Sequence, residues 1–300
     1  MAVTLVASRV AESVSADRAR ERSSITLTTL AQQVAVKLDR GMFALYREFQ
    51  LLSTKPTLGD PAIPVEEKQR LLDQMQRTHP AYAWIGATDR QGKVIAAAQG
   101  LLVGADVSQR PWFANALQER YVGDVHEAVL LASRLPNPDG EPLRFVDIAF
   151  PYHDPAGNIA GILGAHLLWS WADGVHRAVL ARHAAGLEGV QVFIAAGDGT
   201  VVLGPKGTVG GLLRVRGGDG DGSVATVERW PDAGRFVAGY SRTRGFQSYP
   251  GLGWSVVVRL PAAIALAPSV SLGRRVMWSG FALALLCLAF GFAPRSLSRG

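Results

Sequence analysis

The sequence predicts an α+β protein with a long N-terminal helix, two units built on antiparallel sheets, and one C-terminal transmembrane helix. Three observations support this class. Apolar residues recur every three or four positions before residue 53, Asp-Gly turns separate apolar runs in the middle, and an uncharged apolar run lies near the end. With 300 residues, 48% of them hydrophobic, the chain has room for about two domains with cores of their own.

The long helix is predicted from an unbroken amphipathic pattern. Between Val10 and Ser53 there is no proline, and Gly41 is the only glycine. Over some 40 residues such a helix reaches about 60 Å, and it can both pack on its own domain and serve as a stalk with dimer contacts. We assign residues 1–56 to it. Its apolar stripe comprises Leu27, Leu30, Val34, Leu38, Met42, Leu45, Phe49 and Leu52.

The middle of the chain alternates between apolar runs and turns. A second helix is predicted over 65–77, after which Asp-x-x-Gly or Gly-Asp-Gly turns separate short strands that are typical of antiparallel hairpins. Two series of these hairpins predict one unit at 57–186 and another at 187–268. The strand pairs are 82–87 with 93–98, 146–152 with 159–168, 190–196 with 200–203, and 235–241 with 254–260.

The C-terminal segment, 269–300, contains the predicted membrane span. Residues 276–293 carry no charge, and eighteen helical residues cover roughly 27 Å, close to the hydrocarbon thickness of a bilayer. A buried core helix is the alternative, but such a helix normally keeps a polar stripe. Two arginines lie on each side of the run, so the positive-inside rule gives no orientation. The first eight residues are too short for a signal peptide, so we expect either a cytoplasmic domain or a first span upstream.

Charge and cysteine content exclude some classes of function. The net charge is +6, but the arginines are scattered and often alternate with acidic residues. Because nucleic-acid binding requires a clustered basic surface, we expect no nucleic-acid partner. The single cysteine, Cys287, excludes an intramolecular disulfide and a cysteine-rich metal site.

Several segments resemble the double Cache family of bacterial extracytoplasmic sensors. The most specific is Asp-Val-Ser-Gln-Arg-Pro-Trp-Phe at 106–113, and the resemblance extends over about residues 20–262. It implies two tandem PAS-like sheets on a long helix, held outside the inner membrane and serving a histidine kinase, diguanylate cyclase or chemoreceptor output. The other matching segments are 123–128, 144–151 and 161–167.

The candidate ligand site centres on the Arg-Pro-Trp-Phe segment. The guanidinium of Arg110 suits a carboxylate or phosphate, and Trp112 offers a flat apolar wall. The alternative is that Arg110 pairs with a local acid while Trp112 and Phe113 fill the core. The resemblance implies that Arg110 and Trp112 contact the carboxylate of an amino acid. The full set of expected ligand-binding residues is Arg110, Trp112, Phe113, Tyr82, His126 and Asp147.

The sequence departs from the amino-acid-binding pattern of that family. Ala105 and Ala128 stand where the pattern has tyrosines, and the aspartate that would hold an amine could be Asp147 or Asp139. We therefore expect a small organic ligand, for which a carboxylate is one candidate group, without assigning an α-amino acid. His126 follows a turn, and we expect either that it faces the pocket or that it is a loop histidine making one hydrogen bond.

No enzyme, cofactor or metal site is predicted. The chain lacks a nucleophile elbow, a phosphate loop and a dinucleotide-binding motif. His176 and His183 have no carboxylate between them in a zinc pattern, and the Asp-Gly-Asp-Gly stretch at 219–222 lacks the glutamate of a calcium loop.

The combined prediction is a membrane-anchored sensor whose binding domain faces the periplasm and which forms a homodimer through its N-terminal helix. The few residues after the span leave no room for an output domain, so we expect the output to be absent from this chain. The alternatives are a stand-alone membrane adaptor acting on a separate kinase or cyclase, and a membrane-anchored enzyme of unrecognised type.

Overall fold

The computed structural model describes residues 2–137, 140, 142–182, 188–213, 227–229, 234–267 and 282. Within these residues a short 3-10 turn is found at Ala98–Gly100. The helices are α1 (Ala2–Ser53), α2 (Pro56–Gly59), α3 (Val65–Thr78), α4 (Pro111–Ala116), α5 (Val129–Ala132), α6 (Ser170–Ala181) and α7 (Ala262–Ala265). The strands are β1 (Tyr82–Thr88), β2 (Val94–Ala97), β3 (Tyr121–His126), β4 (Phe145–His153), β5 (Ile159–Leu168), β6 (Gln191–Ala195), β7 (Val201–Leu203), β8 (Val227–Arg229), β9 (Arg235–Arg242) and β10 (Ser255–Pro261).

The predicted α+β class is confirmed in its long helix and antiparallel sheets. The described strands form two five-stranded antiparallel sheets, ordered β2-β1-β5-β4-β3 and β7-β6-β10-β9-β8. Counted from the first strand of each sheet, the order is 2-1-5-4-3 in both, so the two sheets share one topology. The predicted hairpins are present, whereas β3 and β8 were not predicted. His126 consequently lies at the end of a strand, and its expected place in a loop was wrong.

Helix α1 joins the two sheets. It packs against β4 of the first sheet and against β9 and β10 of the second. Seven of the eight residues in the predicted stripe are buried, and Leu45 is half-buried. The helix ends at Ser53, whose hydroxyl donates to the carbonyl of Gln50 at 2.8 Å, shortly before Pro56. One apolar face of α1 thus supplies the core shared by both sheets.

The predicted Asp-Gly turns form by side-chain capping of the backbone. Asp89 Oδ1 accepts hydrogen bonds from the backbone amides of Gln91 and Lys93, both at 2.9 Å, and Gly92 adopts a φ of 91°. This turn therefore uses the positive φ that glycine allows and the acceptor that aspartate supplies. Equivalent bonds are made by Asp154 and Asp198.

The two faces of the first sheet have different environments. On β4, Val146, Ile148 and Phe150 pack into the core shared with α1, whereas Phe145 and Ala149 lie in a separate cluster with residues of α4. Because side chains alternate along a strand, Asp147 shares the face of Phe145 and Ala149. We call this side, which α4 covers, the outer face.

Two tryptophans, one following β5 of the first sheet and one preceding β10 of the second, contact each other. The rings of Trp169 and Trp254 are 4.7 Å apart in an edge-to-face arrangement, and Trp169 Nε1 donates to the carbonyl of Val202 at 2.7 Å. Trp254 Nε1 donates to Asp124 Oδ1 at 2.7 Å. A carboxylate of the first sheet therefore anchors an indole that precedes β10 of the second.

The membrane-span prediction concerns residues that are almost all outside the described part of the chain. Among the helices that the structure describes, none is long and apolar enough to cross a bilayer. Of the run 276–293, only Ala282 is described. Asp139, His183, Cys287 and residues 219–222 also lie outside the described residues.

Candidate functional site

A buried polar cluster lies on the outer face of the first sheet. Asp147 of β4 and His166 of β5 are direct cross-strand partners, and His166 Nδ1 donates to Asp147 Oδ1 at 2.5 Å. His126, at the end of β3, places its Nε2 3.5 Å from Asp147 Oδ2. One carboxylate therefore lies between two imidazoles. Asp147 and His166 are only 6% and 8% exposed, whereas His126 is half-buried.

The backbone of β3 fixes the orientation of His126. Its Nδ1 lies 3.0 Å from the carbonyl oxygen of Asp124. Because a carbonyl can only accept, Nδ1 carries the hydrogen of this bond, and Nε2 faces Asp147. The Asp124 side chain is itself held by the Val125 amide at 2.7 Å and by the indole of Trp254.

Aromatic rings surround the polar cluster. The ring centroids of Trp84, Phe145 and Trp112 lie 5.5, 5.9 and 6.3 Å from that of His166. Trp84 Nε1 donates to the carbonyl of Leu101 at 2.9 Å, so this indole has its polar group satisfied within the wall. Burial raises the pKa of Tyr121, and the nearby carboxylates of Asp147 and Asp124 raise it further.

A glycine permits the position of Trp112. A Cβ at Gly164 would lie 2.6 Å from the Trp112 ring, closer than any side chain tolerates without movement. Gly164 shares the outer face of β5 with His166, two residues away. The bare backbone therefore lets the indole lie directly across the sheet, beside the polar cluster.

The structure brings together four of the six predicted site residues. Asp147 and His126 belong to the polar cluster, and Trp112 and Phe113 are buried on the same face with their rings 6.1 Å apart. Arg110 is exposed at the N-cap position of α4, and it forms no ion pair with an acid of the described residues. The alternative of a local Arg110 salt bridge is thus not observed, whereas Trp112 and Phe113 do fill a core.

Tyr82 does not belong to this site. Its side chain is 2% exposed in the core shared with α1, and its hydroxyl donates to the carbonyl of Leu45 at 2.8 Å. Burial raises its pKa above the ordinary value. A register shift between Tyr82 and Trp84 places these two residues, which alternation alone would put together, on opposite faces. Its assignment to the ligand pocket is therefore corrected.

His166 was missed by sequence reasoning, because its position depends on an irregularity in the hairpin. Regular pairing back from the turn at 154–157, where His153 lies opposite Ile159, would place residue 165 opposite Asp147, and a register shift between Tyr152 and His153 pairs His166 with Asp147 instead. The prediction that the chain has no metal site was based on His176 and His183 and did not consider His126 or His166. Within the described residues, His126, Asp147 and His166 form a group whose ligand atoms all lie within 4.8 Å of one another.

A cleft of about 930 Å³ lies elsewhere, beside the C-terminal end of α1. None of the six predicted residues lines it, and its polar lining residues are dispersed over four segments of the chain. We therefore place the candidate site at the polar cluster on the outer face. The cleft is lined by residues that include Gln50, Asp60, Glu119, Arg120, His153 and Asp154.

Comparison with known proteins identifies the fold. No family model matches the sequence, and no curated protein matches it. The sensory domain of a Campylobacter jejuni chemoreceptor with isoleucine bound superposes with a TM-score of 0.60 at 10% identity, over 84% of this chain and 98% of that one. A Pseudomonas aeruginosa amino acid chemoreceptor domain in complex with L-Arg gives 0.59 at 16% identity, over 88% and 100%.

A third structure is longer than this chain. It is an extracellular ligand binding receptor from Desulfohalobium retbaense, with a TM-score of 0.55 at 12% identity. The match covers 78% of this chain and 40% of the receptor, so this chain corresponds to less than half of that protein. The long helix, the two antiparallel sheets and these superpositions together give the chain the fold of chemoreceptor ligand-binding domains of the double Cache type.

Proposed function

We propose that this chain is the ligand-sensing module of a bacterial transmembrane signalling system, and that it binds a small organic molecule on the outer face of the first sheet. The observation that carries the proposal is the polar cluster of His126, Asp147 and His166 among the rings of Trp84 and Trp112. Small-molecule sites commonly combine apolar walls with a few convergent polar groups. The structural neighbours are described with amino acids bound, which supports a ligand of that size.

Each part of the site has a role in this proposal. Trp112 and Trp84 provide flat walls, while the polar cluster orients the polar end of the ligand. Arg110 begins the helix that carries Trp112, and its side chain is exposed. Its guanidinium can therefore close on a carboxylate at the mouth of the site with two parallel hydrogen bonds.

The proposal extends to the location of the chain. The binding domain faces the periplasm, and the uncharged run at 276–293 anchors it in the inner membrane. The output is supplied by a kinase, a cyclase or a chemoreceptor signalling domain outside this sequence. The fold shared with chemoreceptor sensory domains supports this arrangement.

Replacing Arg110 with alanine is expected to abolish ligand binding and to leave the stability of the protein unchanged. An exposed donor can be removed without opening a core cavity. A thermal-shift screen of the full chain against the standard amino acids and small carboxylates identifies the ligand, since a ligand stabilises by RT ln(1 + [L]/Kd). The variant should lose that shift.

Arg90→Ala is the matched control, because Arg90 is an exposed arginine in the β1–β2 turn of the same sheet. It should bind the ligand as the wild type does. Equal affinity of Arg110→Ala and wild type would contradict the role of Arg110. The absence of any stabilising ligand, together with turnover of a screened compound, would contradict the sensor function itself.

A homodimer through α1 is part of the proposal. Val14, Ile25 and Val36 are 44, 61 and 49% exposed and follow one another at intervals of eleven residues, which is three helical turns. They form an exposed apolar line on α1.

The double substitution Ile25→Lys with Val36→Lys should lower the dimer fraction measured by sedimentation. The control Leu212→Lys, at a residue that is 74% exposed in the region of the second sheet, should leave the dimer fraction unchanged. A dimer unaffected by the α1 changes would contradict this interface.

A further inference from the structure

We propose that His126, Asp147 and His166 form a binding site for a divalent transition-metal ion of the Zn²⁺ class. This inference goes beyond the sensing of an organic ligand and does not depend on it. Two imidazole nitrogens and one carboxylate oxygen are a donor set that suits zinc, with a further position open to water or to a ligand.

The hydrogen-bonding pattern around His126 provides the first argument. Its Nδ1 donates to the carbonyl of Asp124, so in the neutral ring Nε2 carries a lone pair. That lone pair faces Asp147 Oδ2, another electron-rich atom, at 3.5 Å. In that neutral form two acceptors face each other, an arrangement that a cation bound between them would stabilise.

The distances provide the second argument. Ligand atoms at 2.0–2.1 Å from a tetrahedral zinc ion are about 3.3 Å apart. The separation of 3.5 Å between His126 Nε2 and Asp147 Oδ2 is close to this value. A ring nitrogen of His166 lies within 4.8 Å of both other ligand atoms, so small side-chain rotations complete a three-ligand set.

The surroundings provide the third argument. Histidines that bind metals usually donate their other ring nitrogen to a carbonyl or carboxylate, and His126 does so to Asp124. The Trp254 indole in turn holds the side chain of Asp124. The three donors come from neighbouring strands of one sheet, β3, β4 and β5, which keeps their spacing fixed.

The site is also accessible from solvent. The side chain of His126 is 39% exposed, whereas those of Asp147 and His166 are 8% and 10% exposed, so one edge opens to solvent. Directly opposite Asp147, β3 carries Gly123, and the phenol of Tyr121 lies over this glycine, with its hydroxyl 3.0 Å from where a Cβ would be. A metal ion would therefore enter from the exposed side of His126.

The test uses Zn²⁺ alone with the full chain after treatment with a chelator. Competition with a chromophoric chelator is expected to show one Zn²⁺ per chain and a raised melting temperature. Co²⁺ in place of Zn²⁺ should give the intense visible bands of tetrahedral coordination. His126→Ala and His166→Gln should each weaken Zn²⁺ binding by about 100-fold or more, since each removes a ligand.

The matched control is His79→Ala. His79 also pairs with an acid, its Nε2 lying 2.7 Å from Glu48 Oε2, but it belongs to no three-ligand group among the described residues. Its substitution should leave Zn²⁺ affinity unchanged. No stoichiometric Zn²⁺ binding by the wild type, or equal affinity in His126→Ala and His79→Ala, would overturn the proposal. The amino-acid screen in the presence of chelator reports separately on the organic ligand.

Discussion

Replacing Trp112 with alanine is expected to lower the free energy of unfolding by about 3–5 kcal/mol and to remove ligand binding. Trp112 is 4% exposed and packs on Trp84 and Phe113, with its ring across Gly164. Removal of the indole leaves a cavity that the rigid sheet below cannot fill, and it deletes one wall of the candidate site. Urea denaturation measures the first effect, and ligand-induced thermal shift measures the second.

Trp112→Phe separates these two effects. A phenyl ring keeps much of the buried apolar surface, so its cost in stability should be well below that of alanine. Binding should still weaken, because the smaller ring presents a smaller wall to the ligand. An alanine variant as stable as the wild type would contradict the packing role, and full ligand affinity in both variants would contradict the pocket assignment.

Adding a single methyl group at Gly239 is expected to destabilise the protein by about 1–3 kcal/mol or more. Gly239 lies on β9 where α1 crosses the second sheet, and its Cβ would be 2.2 Å from the Thr28 nitrogen and 2.3 Å from the Leu27 carbonyl carbon. Both neighbours are backbone atoms, so neither can rotate away. Gly239→Ala must therefore displace the helix from the sheet, and chemical denaturation measures the cost.

Gly174→Ala is the matched control for this effect. Gly174 lies inside α6, and a Cβ there meets nothing within 4 Å. Because glycine disfavours a helix interior, this change should leave stability unchanged or raise it by about 0.5–1 kcal/mol. If Gly239→Ala were as stable as Gly174→Ala, the close approach of α1 and β9 would not be a constraint on the fold.

Much of the architecture could be predicted because its signals are local. The stripe of α1 and the Asp-Gly turns each depend on a few neighbouring residues, and both appear in the structure as the sequence indicates. Strand β3 escaped prediction because Gly123 and Asp124 interrupt its apolar pattern. Strand β8 has only three residues at a sheet edge, too few for a periodic signal.

The candidate site was harder to predict because it depends on register. His166 acquires its role only through its pairing with Asp147, and Tyr82 loses its role through one irregularity in β1. A shift of one residue moves a side chain to the other face of a sheet. Residue type and the family resemblance made Asp147, His126 and Trp112 candidates, but neither could say which of the aromatic and histidine residues share a face.

Because α1 is long, a small tilt of the helix where it packs on the sheets would move its N-terminal end by a much larger distance. Among the residues of α1 whose burial the structure describes, Ser24 is the first buried one, so the helical residues 2–23 extend about 33 Å beyond that point. The close approach of Leu27 and Thr28 to Gly239 would be the pivot of any tilt of the helix, since no side chain separates the two backbones there. A tilt of about 5° around this point moves the N-terminal end of the helix by about 3 Å. A displacement of less than about 1 Å close to the pivot would thus become one of about 3 Å at the N-terminal end, which equals the rise of two helical residues.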